Sequence, residues 1–277
     1  MMSDESHEER NAQHTPMPLA LLAGGDLLGT AADPALNEDL ALALLKRTDL
    51  PAEVLEQLAK NANALKSRKV RIALVSHPHT PRHVSVPLVR QFYTFDLMRV
   101  ALSPRVAADL KVAVDEVLIA RLKMVTAGER LTLARRASGR VAAALLLEME
   151  SAGRKIGAGE TGEKSFAVES RLEGNRVMRV ALANPRLTEA LVISSVLRPH
   201  ASAALVQAVA RHAKWSRRRE IRAALLRTGH LSLARALEFS HEIPAALLWE
   251  VLNSSRLPAK IKDQLLRQNQ VAGPQHK

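Results

Sequence analysis

Lys214-Trp215-Ser216-Arg217-Arg218-Arg219-Glu220-Ile221-Arg222 is the densest basic run in this chain, and one aromatic ring stands among its cations. Guanidinium and ammonium groups so closely spaced can grip phosphate or carboxylate oxygens, and an interleaved ring can stack on a base. A second group, Arg135, Arg136 and Arg140, flanks another turn. Basic helix ends that line up would make Lys214, Trp215, Arg217, Arg218, Arg219, Arg222, Arg135, Arg136 and Arg140 one positive stripe for an anionic partner. The plainer alternative is a solvated basic face.

Other candidate chemistry is weaker. Gly157-Ala158-Gly159-Glu160-Thr161-Gly162 has the letters of a dinucleotide fingerprint, and Glu163-Lys164-Ser165 nearly extends it to a phosphate loop. A phosphate-binding loop needs a strand before it and a helix after it, so that backbone N–H groups converge on the anion. Here an Ala/Leu-rich helical stretch, residues 140–149, comes first. His77, His79 and His83 have spacing that could ligate a metal, but His79 occupies a slot expected to face solvent, and no nearby carboxylate orients a site. Phe92, Tyr93 and Phe95 read best as filling a corner between helices. No pair of acids has a spacing that demands acid–base catalysis, and no nucleophile elbow occurs. The expectation is therefore no catalytic residue, no cofactor and no metal.

What must position the basic groups is a recurring turn. Asn184-Pro185-Arg186-Leu187-Thr188-Glu189-Ala190-Leu191 returns as Ser103-Pro104-Arg105-Val106 and as Ser138-Gly139-Arg140-Val141. The shared form is a polar residue, Pro or Gly, a polar or charged residue and an aliphatic, with a second aliphatic four further on. Pro or Gly stops one helix, and a Pro in the first turn of the next costs nothing, because its missing N–H had no partner there. Copies begin at Asp33, Arg47, His77, Ser103, Ser138, Asn184, Arg198, Thr228, Ser240 and Ser254. Steps of 14 residues fit a helix with its turn, and steps near 28–30 a helical hairpin. Arg71-Ile72-Ala73-Leu74, Arg99-Val100-Ala101-Leu102, Arg179-Val180-Ala181-Leu182 and Arg222-Ala223-Ala224-Leu225 precede such turns, placing Arg near a helix C-terminus, where the dipole favours it.

The chain of 277 residues carries a net charge of +12 with 3 % aromatic residues and no cysteine. Small and unbranched apolar side chains suit closely packed helices better than sheets. The missing thiols exclude disulfides, thiolate catalysis and Cys-ligated metals, and fit a reducing compartment. Residues 1–40 hold eight acids against Arg10 alone, so the remainder is strongly basic and suited to anionic partners. No run approaches the roughly 18 apolar residues of a membrane span. A cytoplasmic protein with no membrane partner is expected.

The turn Asn184-Pro185-Arg186-Leu187-Thr188, preceded by Arg179-Val180-Ala181-Leu182, resembles the bacterial leucine-rich repeat variant and related HEAT/armadillo-like families. The resemblance spans about residues 33–265. It implies a curved stack of short helices whose surface binds another protein. The iron–sulfur centre associated with the variant does not carry over, since this chain lacks Cys.

The expected fold is thus all-α, an α-solenoid of short stacked helices with a disordered leader and a Gly-rich insertion. Its parts are an acidic leader at 1–16, N-terminal repeats at 17–150, a flexible insertion at 151–175, C-terminal repeats at 176–267 and a frayed tail at 268–277. A further helix is expected over residues 18–28. The function expected is a non-catalytic scaffold for protein–protein interaction. The rival is a nucleic-acid-binding protein of the same architecture, extending to a DNA glycosylase-like enzyme, which would need Trp215 or Trp249 facing a carboxylate across a basic cleft.

Overall fold

A computed structural model describes residues 26–154 and 163–269. Among the described residues there are seventeen helices and no strand. They divide into two units: the first holds the described chain up to Asp96 together with Ser103–Lys111, and the second holds Leu97–Leu102 and the described chain from Val112 onward.

The first unit contains α1 (Leu27–Ala32), α2 (Glu38–Lys46), α3 (Ala52–Lys60), α4 (Ala62–Lys66), α5 (Arg68–Val75) and α6 (Arg82–Val89). Here α1 packs on α3 and α2 on α5. Two helices, α7 (Thr94–Leu102) and α8 (Ala108–Arg121), contribute residues to both units. The second unit continues with α9 (Ala127–Arg136), α10 (Gly139–Arg154), α11 (Glu163–Leu182), α12 (Glu189–Val196) and α13 (Ala203–Arg211). It ends with α14 (Arg219–Arg227), α15 (Leu233–His241), α16 (Ala245–Asn253) and α17 (Ala259–Gln268). In the second unit helices pack on their neighbours, most extensively α10 on α11, and also on the next but one: α10, α12, α14 and α16 touch in succession, as do α9, α11 and α13, and then α15 and α17.

All ten copies of the turn fall where one helix gives way to the next. Most do so by the same local physics. The aliphatic of the turn sits just before the helix cap and is buried, as with Leu36, Leu50, Leu187, Leu231, Ile243 and Leu257. Such a residue packs against the fourth position of the new helix. Those positions are Ala41, Leu55, Val192, Ala236 and Leu248, all at 0 % exposure. In these five copies the fully buried residue is five after the turn aliphatic, whereas after Val106 and Val141 the aliphatic four further on, Leu110 or Leu145, is buried as the sequence pattern suggested. Thr188 and Ser202 cap α12 and α13 by accepting from Leu191 and Leu205 N–H groups. Pro51, Pro81, Pro244 and Pro258 fill the cap position of α3, α6, α16 and α17 without a side-chain bond.

A second device ties turns to helix ends that lie from 28 to 50 residues earlier. Asn61 Nδ2 donates to the carbonyls of Ala31 (3.1 Å) and Asp33 (2.8 Å). His77 Nε2 donates to Arg47 O at 2.7 Å. In the second unit Asn184 Nδ2 donates to Ala134 O (2.9 Å) and Ala137 O (3.2 Å), and Ser255 Oγ donates to Leu226 O (2.5 Å). Carbonyls at a helix C-terminus lack partners inside the helix, so each side chain satisfies groups that would otherwise be buried unpaired. Close approach of backbones accompanies this. A Cβ on Gly139 would lie 2.2 Å from Arg186 O, so only glycine fits at the start of α10.

Several expectations change. Residues 151–175 are not a loop throughout: α10 runs to Arg154 and α11 begins at Glu163. No proline interrupts 163–182, and Gly174, the weak helix former there, is buried. The helices on either side of the gap belong to one unit and pack on each other. The first helix among the described residues covers Leu27–Ala32, capped by Asp26; residues 18–25 of the helix expected over 18–28 lie outside the described residues. At the other end, Gln268 closes α17 and Asn269 donates to Ser240 Oγ at 2.9 Å, so fraying does not begin at 268. The leader at 1–16, residues 157–162 of the Gly-rich motif and residues 270–277 lie outside the described residues. No helix among the described residues is long and apolar enough to cross a membrane.

Candidate functional site

The two basic groups of the sequence are taken apart by the fold and partly recombined. On α11, Val177, Met178, Ala181 and Leu182 are buried, which turns Arg176 and Arg179 outward. Three residues apart, they share one helix face. On α9, Leu133 and Ala134 are buried and Arg135 and Arg136 are exposed. The two helices pack together. Arg135, Arg176 and Arg179 consequently line one cleft of about 430 Å³ with Val180, Ala183 and Pro185. The lining contains no acid, and none of the three arginines has an ion partner among the described residues.

Asn184 sets the walls of this cleft. Its amide reaches the end of α9, as above, while its Oδ1 accepts from Arg186 N–H at 2.8 Å and its carbonyl from Leu187 N–H at 3.1 Å. The turn after α11 is thereby held against the end of α9. Arg186 lies just outside the cleft and donates to Arg136 O at 3.2 Å. Of the predicted second group, then, Arg135 enters the cleft and Arg136 stays on the adjoining surface. Arg140 goes elsewhere, to Glu116 at 3.6 Å.

The run at 214–222 is mostly structural, and it precedes α14 as a chain of turns from 213 to 217. Trp215 is 2 % exposed, with its Nε1–H donating to Leu182 O at 2.8 Å. This corrects the expectation of a ring free for stacking: the indole anchors the loop to the C-terminus of α11, and Lys214 Nζ lies 4.0 Å over its ring. Arg222 is also used internally. It donates to Ser216 O at 2.6 Å, pairs with Glu242 and lies over the Phe239 ring. Arg218 approaches Glu189 at 3.9 Å. Arg217 and Arg219 are exposed and have no ion partner among the described residues. Trp249, the other tryptophan considered, is half-buried on α16.

In the first unit, the histidines are engaged with protein groups. His77 is buried, donates from Nε2 to Arg47 O and accepts at Nδ1 from His79 N–H at 3.3 Å. Burial, more than any neighbour, pushes its pKa down, since the charged ring loses solvation. His79 Nδ1 bonds Leu50 O, and His83 does have a carboxylate beside it, Glu56 at 3.3 Å. Among the described residues no group of three or more His, Asp or Glu gathers as metal ligands would. Of the aromatic trio only Phe92 fills a corner; Tyr93 and Phe95 are 69 % and 43 % exposed.

One buried acid was not anticipated. Asp115 on α8 is 4 % exposed, and its Oδ1 has no hydrogen-bond partner. Burial raises its pKa, opposed by a hydrogen bond from Ser138 and by Arg140. The sequence signal that Arg176 and Arg179 belong together was present as Arg176-Val177-Met178-Arg179, an i, i+3 pair. Its meeting with Arg135 depends on how α9 packs on α11.

No family model matches the chain, and no curated protein or solved structure matches it significantly.

Proposed function

We propose that this chain is a non-catalytic α-solenoid scaffold, similar in build to HEAT and leucine-rich-variant repeats, that binds a protein partner through the basic surface of its second unit. The observation that carries the reading is the set of cations the fold leaves over. Arg135, Arg136, Arg176, Arg179, Arg217 and Arg219 are exposed without ion partners among the described residues, while Arg140, Arg222 and Arg227 are tied to Glu116, Glu242 and Glu250. Cations not used in folding are available to an anionic surface. The skip-one packing of α10 to α16 supports a repeat scaffold beneath them.

The nucleic-acid rival loses its aromatic half, because Trp215 is spent on Leu182 O. The two readings separate in an anisotropy titration of short single- and double-stranded DNA and RNA at about 50 and 200 mM salt. Scaffolding of proteins predicts weak binding with no large salt effect. Sub-micromolar binding that weakens about a hundredfold over that range, and vanishes on Arg217→Glu/Arg219→Glu, would replace the protein reading with the nucleic-acid one.

A further inference from the structure

Three guanidinium groups converge on one small cleft with no acid between them, which costs repulsion that folding gains nothing from. The ends of α9 and α11 offset part of it, since last-turn carbonyls favour nearby cations. The rest stays uncompensated until an anion enters. We propose that the Arg135–Arg176–Arg179 cleft is a carboxylate-binding subsite that receives an acidic segment of a protein partner; this rests on the protein-scaffold reading and gives it a location.

The chemistry selects the occupant. Arginine forks match carboxylates in bidentate geometry, and two neighbouring forks can take two carboxylates of one segment. Val180, Ala183 and Pro185 give the same cleft an aliphatic wall, suited to the methylenes of glutamate or to an apolar residue beside it. A cleft of about 430 Å³ has the volume of a few side chains. A nucleic-acid strand would instead need a longer basic track, usually with rings to stack on. Of the tryptophan and phenylalanine rings of the second unit whose burial is described, none is exposed: Trp215 and Phe239 are buried and Trp249 is half-buried. The cleft is also built to hold its form, because Asn184 bonds both carbonyls at the end of α9. Little reorganisation is left for binding, which favours affinity.

The test uses the full chain and a fluorescein-labelled twelve-residue peptide alternating Glu-Glu with Leu, with a Lys-for-Glu peptide and a twelve-nucleotide single strand as competitors. Arg176→Glu/Arg179→Glu and Arg135→Glu should each weaken the acidic peptide at least tenfold at about 50 mM salt, while Lys60→Glu, a reversal of an exposed charge in the first unit, changes it less than threefold. Arg176→Gln/Arg179→Gln, which removes charge without reversing it, should give an intermediate loss and guards against a misfolded reversal. Unchanged tryptophan emission, reporting the buried Trp215 indole, certifies each variant. Undetectable peptide binding, or a loss confined to Arg217→Glu/Arg219→Glu, would overturn the cleft while leaving the scaffold reading to its own titration. Displacement by the single strand at lower concentration than by unlabelled peptide would overturn both.

Discussion

The two units solve the same folding problem with different surfaces. Each joins short helices by turns whose aliphatic is buried and whose polar side chain reaches back to an earlier helix end: Asn61 and His77 in the first, Asn184 and Ser255 in the second. Their charges differ sharply. Residues 26–96 and 103–111 hold eleven Lys and Arg against nine Asp and Glu, whereas residues 97–102 and 112–277 hold twenty-eight against fifteen. In the first unit about half of the acids pair with nearby cations, as in Lys69–Glu38, Arg82–Asp109 and the two-bond pairing of Arg68 with buried Asp96. Its cleft of about 490 Å³ sets Asp39 in the same lining as Lys46 and Arg105. The second unit's cleft has arginines alone. Turn chemistry therefore serves both units alike, while the surplus of cations belongs to one of them.

The sharpest way to break the comparison is at the turns. Gly139→Ala would force a methyl group to within 2.2 Å of Arg186 O, and backbone cannot rotate away as a side chain can. A loss of about 3 kcal/mol is expected, at the upper end for overpacking. Both tryptophans, Trp215 and Trp249, lie in the second unit, so their emission during urea unfolding reads that unit. A midpoint equal to that of the parent chain would mean that the turn yields and that the glycine is not required. Gly128→Ala is the control, since nothing lies within 4 Å of its Cβ position.

A smaller effect separates the staples themselves. His77 serves its turn only as a neutral ring, with a proton on Nε2 for Arg47 O and a lone pair on Nδ1 for His79 N–H. Its folded pKa is lowered by burial, so the unfolded chain binds more protons as pH falls. The contribution to stability is full above the unfolded value of about 6.5 and declines as pH drops toward the folded one. Amide protection in α5 and α6, corrected for the intrinsic exchange rate at each pH, should fall between pH 7 and 5.5, and His77→Asn should abolish that fall, since an amide donates and accepts without titrating. Acid loss that persists in His77→Asn would assign it to other groups. His212, also lowered chiefly by burial, makes emission in the second unit a poor reporter of this one.

The helical class and every turn copy were legible in the sequence because they depend on local rules: Pro and Gly punctuation, a buried aliphatic before the cap, and Arg near helix ends. The candidate site was legible only in part. Arg135 was singled out for its charge, but its partners on α11 lie more than forty residues away and depend on tertiary packing. Trp215 and Arg222 sat in the most suggestive run and proved to be internal: Trp215 meets an unpaired carbonyl at the C-terminus of α11, and Arg222 is held by Ser216 O and Glu242. Residues 151–175 misled as well. Gly and Ser composition argues for loop, yet the chain is helical up to Arg154 and again from Glu163, with Gly174 buried.

The smallest effect is the most informative about purpose. Arg176→Gln/Arg179→Gln removes two like charges beside Arg135 and no ion pair among the described residues. Exposed substitutions of this kind shift stability by less than about 0.5 kcal/mol. The sign should be positive, because the change relieves repulsion faster than it weakens the favourable contact with the α11 dipole. The gain should shrink as salt rises from about 50 to 500 mM, since screening weakens repulsion between exposed cations. A clear loss of stability would instead mean that the arginines hold the fold together, and the contrast between the two units would then be one of packing. Neutral or improved stability with salt-sensitive repulsion is what a surface kept for an acidic partner requires.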